Sequence, residues 1–176
     1  MAVREILPIN DPLLRKKAKE VSRFDPALQR LVADMLETLR DAEGAGLAGP
    51  QVGELLRVFV AQDEGTEYVI VNPEIVTAEG AEWGAEACLS LPGYYGDNIR
   101  RAAKVMVKGH DARGKALRIT ADGWFARVLQ HEIDHLDGIL FLDHLERPGD
   151  LRVVRRRDRA EQDAEIERGG QKSQRR

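Results

Sequence analysis

A chain of 176 residues with 43% hydrophobic and 32% charged residues can bury the core of a single domain, and its composition is that of an ordinary globular protein. No apolar run approaches the ~20 residues of a membrane-crossing helix, and Met1-Ala2-Val3-Arg4-Glu5 lacks the apolar core of a signal peptide. A cytoplasmic protein with no membrane partner is expected. The net charge of −3 divides into a mildly acidic body and a segment from Arg147 onward with 10 Lys+Arg against 6 Asp+Glu, and the single cysteine, Cys88, excludes an intramolecular disulfide.

Asn10-Asp11-Pro12 reads as a helix start, and residues 13–21 as a short helix with its exit. Phe24-Asp25-Pro26 repeats that signal. Leu28, Leu31, Val32, Met35, Leu36 and Leu39 then have the spacing of a long amphipathic helix that ends before Gly44. Residues 44–53 are too rich in Gly and Pro for a helix or central strand, so a loop is expected, one whose glycines let a ligand approach the backbone. It lacks the Gly-Lys-Ser/Thr ending of a phosphate-binding loop. Strands are expected over 55–61 and 68–71, with Asn72-Pro73 ending the second, and another over 74–82. Residues 83–93 show no clean period. Residues 103–110 and 116–121 read as a hairpin joined by Asp111-Ala112-Arg113-Gly114. Asp122-Gly123 opens a helix that Gly138 closes, and residues 139–142 are a short apolar run. From Pro148 the chain is heavily charged. A C-terminal helix gripped by Leu151, Val153 and Val154 is expected, fraying into a disordered end over 169–176.

The 123–138 helix carries the chemistry. It contains His131-Glu132-Ile133-Asp134-His135, and side chains four apart on a helix return to nearly the same face. Both imidazoles can therefore address one cation. Glu132 sits beside it as the group that accepts a proton from an activated water, the arrangement of metal-assisted hydrolysis. The competing reading is a charged amphipathic helix that happens to hold two of the four histidines. A catalytic site of this kind commonly needs a third protein ligand. The metzincin pattern would put a histidine where Phe141 stands, and Glu161, the sort of candidate a gluzincin would use, lies in the charged tail. Cys88 is the remaining choice, a soft thiolate donor.

Three stretches in order carry a family resemblance: residues 44–53 (Gly-Ala-Gly-Leu-Ala-Gly-Pro-Gln-Val-Gly), residues 86–90 (Glu-Ala-Cys-Leu-Ser) and residues 130–138 (Gln-His-Glu-Ile-Asp-His-Leu-Asp-Gly). Together they resemble the peptide deformylases. Gly49 departs from an alanine in the first motif, and Ala87 from a glycine in the second. A methyl at 87 is expected to crowd the substrate, and to strain the backbone if that position needs φ > 0.

The resemblance implies an α+β fold, with antiparallel β-sheets packed around the central metal-binding helix, N-terminal helices and a C-terminal helix. Residues 1–147 would form one catalytic domain and 148–176 a charged helix and tail. It implies metal ligation by Cys88, His131 and His135, with Fe²⁺ the usual ion and Zn²⁺ or Ni²⁺ able to replace it. Glu132 would be general base and then acid, with the Gln51 amide and the Leu89 N–H as oxyanion donors. Val128 and Trp124, by helical spacing, would line a methionine pocket with Leu47, while Gly46 and Ala87 would offer backbone groups to the peptide. Arg101 is expected in a salt bridge, and Asp134 as an acceptor behind a ligand histidine or a surface charge. The implied substrates are N-formylmethionyl nascent peptides, with no direct DNA binding. The basic tail is either a ribosome contact or a solvated end, slightly more in favour of the latter. The rival functions are a peptidase on the same helix motif and a closed, non-catalytic metal site.

Overall fold

Asp25 starts the first long helix, α1 (Pro26–Asp41), by accepting from the Ala27 and Leu28 N–H groups, with Pro26 in the first turn. Its inward stripe of Leu28, Leu31, Val32, Met35 and Leu39 is buried, as the spacing requires. This is a computed structural model, and it describes residues 2–154. Among them no helix is long and apolar enough to cross a membrane.

The chain forms two antiparallel sheets. The first holds five strands, β1 (Gly46–Ala48), β2 (Val58–Asp63), β3 (Thr66–Glu79), β6 (Lys104–His110) and β7 (Ala116–Asp122), in the order β1-β2-β3-β6-β7. The second holds β4 (Glu82–Ala87), β5 (Tyr94–Arg101) and β8 (Leu151–Val153), in the order β4-β5-β8. The motif helix α2 (Gly123–Asp137) packs on one face of the first sheet and α1 on the other. Strand alternation shows this division directly. Phe59 and Ala61 of β2 join the α2 cluster with Ala126, Leu129, Ile133 and Leu136, whereas Val58 and Val60 join the α1 cluster. Four consecutive buried residues in β2 follow from having a helix on each side.

Several elements differ from expectation, each because a distant partner supplies the hydrogen bonds. The helix expected over 13–21 is only a 3₁₀ turn, Pro12–Arg15. Beyond it the backbone bonds elsewhere: Ala18 N–H donates to Leu136 O and Lys19 N–H to Leu55 O. The glycine-rich loop becomes edge strand β1, paired Gly46↔Ala61 through Ala48↔Phe59, and then the 3₁₀ turn Gly49–Val52. Asn72-Pro73 does not end the second strand. Asn72 takes a left-handed conformation (φ 51°), and its side chain bonds both the Val21 N–H (2.8 Å) and the Val21 carbonyl (2.9 Å). The strand therefore bulges there and continues as β3, absorbing most of the strand expected over 74–82. β5 was not expected at all; its Arg101 is buried by pairing with a carboxylate. At the start of the expected C-terminal helix the described residues form the 3₁₀ turn Pro148–Asp150 and then β8, held by main-chain pairing to β5. The rest of the expected helix, and the basic end read as either a ribosome contact or a solvated tail, lie outside the described residues.

The Gly49 departure has a packing reason. A Cβ there would stand 2.8 Å from Leu56 O and 2.9 Å from Glu54 O, backbone atoms that cannot swing aside. Gly49→Ala is therefore expected to destabilise the protein by about 1–3 kcal/mol, read as a lower denaturant midpoint at unchanged m-value.

Candidate active site

α2 is buried along most of its length: beyond the first sheet, Glu82, Glu86 and Ile99 of the second bond to its Arg127 and His131, and the N-terminal segment bonds to Leu136. His131 and His135 lie one turn apart with ring centroids 4.9 Å apart. Cys88 follows β4, and its Sγ is 3.3 Å from His135 Nε2. One donor atom from each of Cys88, His131 and His135 falls within 4.8 Å of the other two, and all three residues are buried. A thiolate and two imidazoles converging in this way fit one divalent ion of the late first-row type. The fit extends to Glu132 Oε2, buried beside the donors with no hydrogen-bond partner in the protein.

Glu86 is the residue sequence reasoning passed over. Its carboxylate is buried at the hub of the site: it receives Nε–H and Nη2–H bonds from Arg101 (2.7 and 2.9 Å), one from Arg127 (3.0 Å), and the Nδ1–H of His131 (2.8 Å). That last bond fixes the His131 tautomer and turns Nε2 toward Cys88 and His135. Burial opposes the Glu86 charge, but the Arg101 and His131 hydrogen bonds outweigh it and hold its carboxyl well below the usual range. Burial also opposes charge on His131, yet its hydrogen bonds to Cys88 and Glu86 push its pKa up to about 10. Burial and the neighbouring His131 keep His135 neutral. A ligand imidazole must be free of its proton at the binding nitrogen, so loading the site displaces one. Asp134 does not back a ligand histidine; it pairs with Arg101 (2.5 Å) and His144 (2.8 Å). Arg101 is in the expected salt bridge. A glutamate two residues before a ligand cysteine lies on the same side of an extended chain, the signal that would have found Glu86. Glu86→Gln is expected to weaken metal binding by about 10–100-fold, measured by competition with a chelator.

Glu132 is 3% exposed, and burial, against the pull of His131, pushes its pKa up to about 7. Gln51 is buried with its amide oriented: Oε1 accepts from the Ala48 N–H (2.8 Å), so Nε2 faces Ser90 Oγ (3.2 Å) and Cys88 Sγ (3.5 Å). The Leu89 N–H makes no hydrogen bond to a described residue. Beside these groups opens a cavity of about 400 Å³ whose walls include Leu91, Tyr94, Trp124, Arg127 and Val128. Val128 is buried in its wall, and Trp124 stands 58% exposed at its mouth. Leu47 does not line it. Strand alternation turns Leu47 into the α1 cluster, while Gly46 beside it faces the cavity. Ala87 lines the cavity from β4 and is not among the residues with positive φ, so the feared backbone strain is absent.

A His-Glu-x-x-His helix with a sulfur third donor and a buried carboxylate beside it defines a metal-dependent hydrolase. The family model for polypeptide deformylase matches residues 3–150. A peptide deformylase of Dehalococcoides mccartyi (strain CBDB1) is 49% identical over 156 residues, covering 88% of this chain and 93% of the relative. The crystal structure of a Legionella pneumophila peptide deformylase superposes with a TM-score of 0.80 at 49% identity, over 85% of this chain and 89% of that one. That of the Thermus thermophilus peptide deformylase does so with a TM-score of 0.80 at 46% identity, over 83% and 87%. The chain belongs to the peptide deformylase family.

Proposed function

We propose that this protein removes the formyl group from N-formylmethionyl peptides in the cytoplasm, releasing formate. The observation that carries this reading is the convergence of Cys88, His131 and His135 beside the buried, partnerless Oε2 of Glu132. A divalent ion bound by these three ligands supplies Lewis-acid activation of water and of the formyl carbonyl. On the family resemblance we assign Fe²⁺ in cells, although the donor set suits Zn²⁺ and Ni²⁺ as well.

The protein's own groups do the rest. Glu132 accepts a proton from the attacking water and passes it to the departing amine, a task suited to a carboxyl whose pKa burial has moved to about 7. The Gln51 amide and the Leu89 N–H donate to the oxygen that gains negative charge. Their support is the anchoring of the Gln51 oxygen by Ala48, which leaves its N–H groups facing Cys88, and the free state of the Leu89 N–H. The methionine side chain enters the cavity beside Val128. β1 and β4 are both edge strands, so Gly46 and Ala87 can add the peptide main chain as a further strand.

Anaerobically prepared protein is expected to release formate from formyl-Met-Ala and to leave an N-blocked, unformylated peptide intact. Cleavage of the second peptide without formate from the first would make it a peptidase instead.

A further inference from the structure

The wall of the cavity assigned to an apolar side chain contains a buried guanidinium. Arg127 lies on α2 one turn before His131, its side chain 5% exposed. Nη1 donates to Glu86 Oε1 (3.0 Å) and to the Ile99 carbonyl (3.0 Å), and Nη2 donates to the Glu82 carbonyl (3.2 Å). The group lies flat against β4: a Cβ on Gly84 would stand 3.0, 3.1 and 3.2 Å from Nη2, Cζ and Nε. A guanidinium has five N–H donors. Three are used, and the Nε–H and one Nη2–H have no acceptor among the described residues. The unpartnered Nε is not sealed from solvent, and the opening that Arg127 borders is the cavity itself.

We propose that Arg127 makes this pocket a site for a hydrogen-bond acceptor at the end of the first side chain, so that N-formylmethionine sulfoxide peptides are substrates alongside N-formylmethionine ones. The inference rests on the deformylase reading and deepens it. A thioether sulfur is a weak acceptor and leaves the guanidinium nearly unanswered. A sulfoxide oxygen is a strong acceptor at the same place along the side chain. Sulfoxidation also makes the sulfur chiral. Arg127 is pinned by Glu86, Ile99 and Glu82, and the two epimers point their oxygens in different directions, so the fixed N–H groups are expected to favour one of them.

The test measures kcat/KM for formyl-Met-Ala-Ser, for its norleucine analogue and for each epimer of its sulfoxide, on wild-type protein and on Arg127→Lys and Arg127→Leu. Lysine keeps a cation beside Glu86 but lacks the Nε–H and the planar fork, so it serves if the leucine variant fails to fold. Inhibition by the unformylated sulfoxide peptide reads binding without turnover. The expected result is a preference of at least about tenfold for one epimer in wild type, in rate and in inhibition, that Arg127→Lys removes while the norleucine rate changes less. Absence of that preference, or its persistence in Arg127→Lys, overturns the proposal. Failure to release formate from formyl-Met-Ala-Ser itself would instead overturn the deformylase reading.

Discussion

Glu132→Gln is expected to lower kcat for formate release by about 10²–10⁴-fold with metal content unchanged. The amide has nearly the shape of the carboxylate and fills the same space against Gly46, so packing survives. It cannot accept a proton from water at neutral pH, and no described group stands ready to replace it. Asp134 is held by Arg101 and His144, and Glu86 by Arg101, Arg127 and His131. Both are engaged, and Glu86 is kept ionised well below neutrality, too weak a base for the task. Steady-state rates and metal analysis on the same preparation check the outcome. An unchanged rate would remove Glu132 from the chemistry and favour a non-catalytic metal site.

Gly46→Ala reaches the same carboxylate from the opposite strand. A Cβ on Gly46 would stand 2.3 Å from Glu132 Oε1, 2.6 Å from Cδ and 2.7 Å from Cγ, all far inside ordinary contact. β1 cannot retreat, since it is paired to β2 from Gly46↔Ala61 to Ala48↔Phe59, with Leu47 wedged in the α1 core on its other side. The Glu132 side chain must therefore move by about 1 Å or more, a displacement that costs on the order of 10²-fold in kcat. Because the loss runs through Glu132, the two changes are not independent. Gly46→Ala in a Glu132→Gln background is expected to cost little further kcat at saturating substrate, and additive losses would contradict this route. Circular dichroism and metal content matching wild type separate displacement from unfolding.

The features legible along the chain are those whose physics is local. The turn of a helix brings His131 and His135 together wherever that helix is placed, and α1 shows its buried face through its own spacing. The hairpin of β6 and β7 declares itself through Asp111, whose carboxylate accepts from the Arg113 and Lys115 N–H groups within the turn. Cys88 is intermediate: the need for a third ligand left it as the remaining donor, and a motif resemblance then linked it to a helix more than forty residues away.

What the tertiary structure alone decided is where non-local partners stand. Residues 44–53 have the composition of a loop, yet β2 supplies a ladder that makes Gly46–Ala48 a strand. Once it is a strand, alternation sends Leu47 into the core and Gly46 against Glu132, a choice invisible while the segment is a loop. Asn72 ends no strand because Val21, 51 positions away, bonds its side chain. Glu86 and Arg127 look like surface charges until two sheets close over α2 and pair them. Composition, local spacing and short motifs specify which donors are present and how neighbours on one helix are directed. The long-range pairing of strands, which no short window contains, specifies what each of those donors faces.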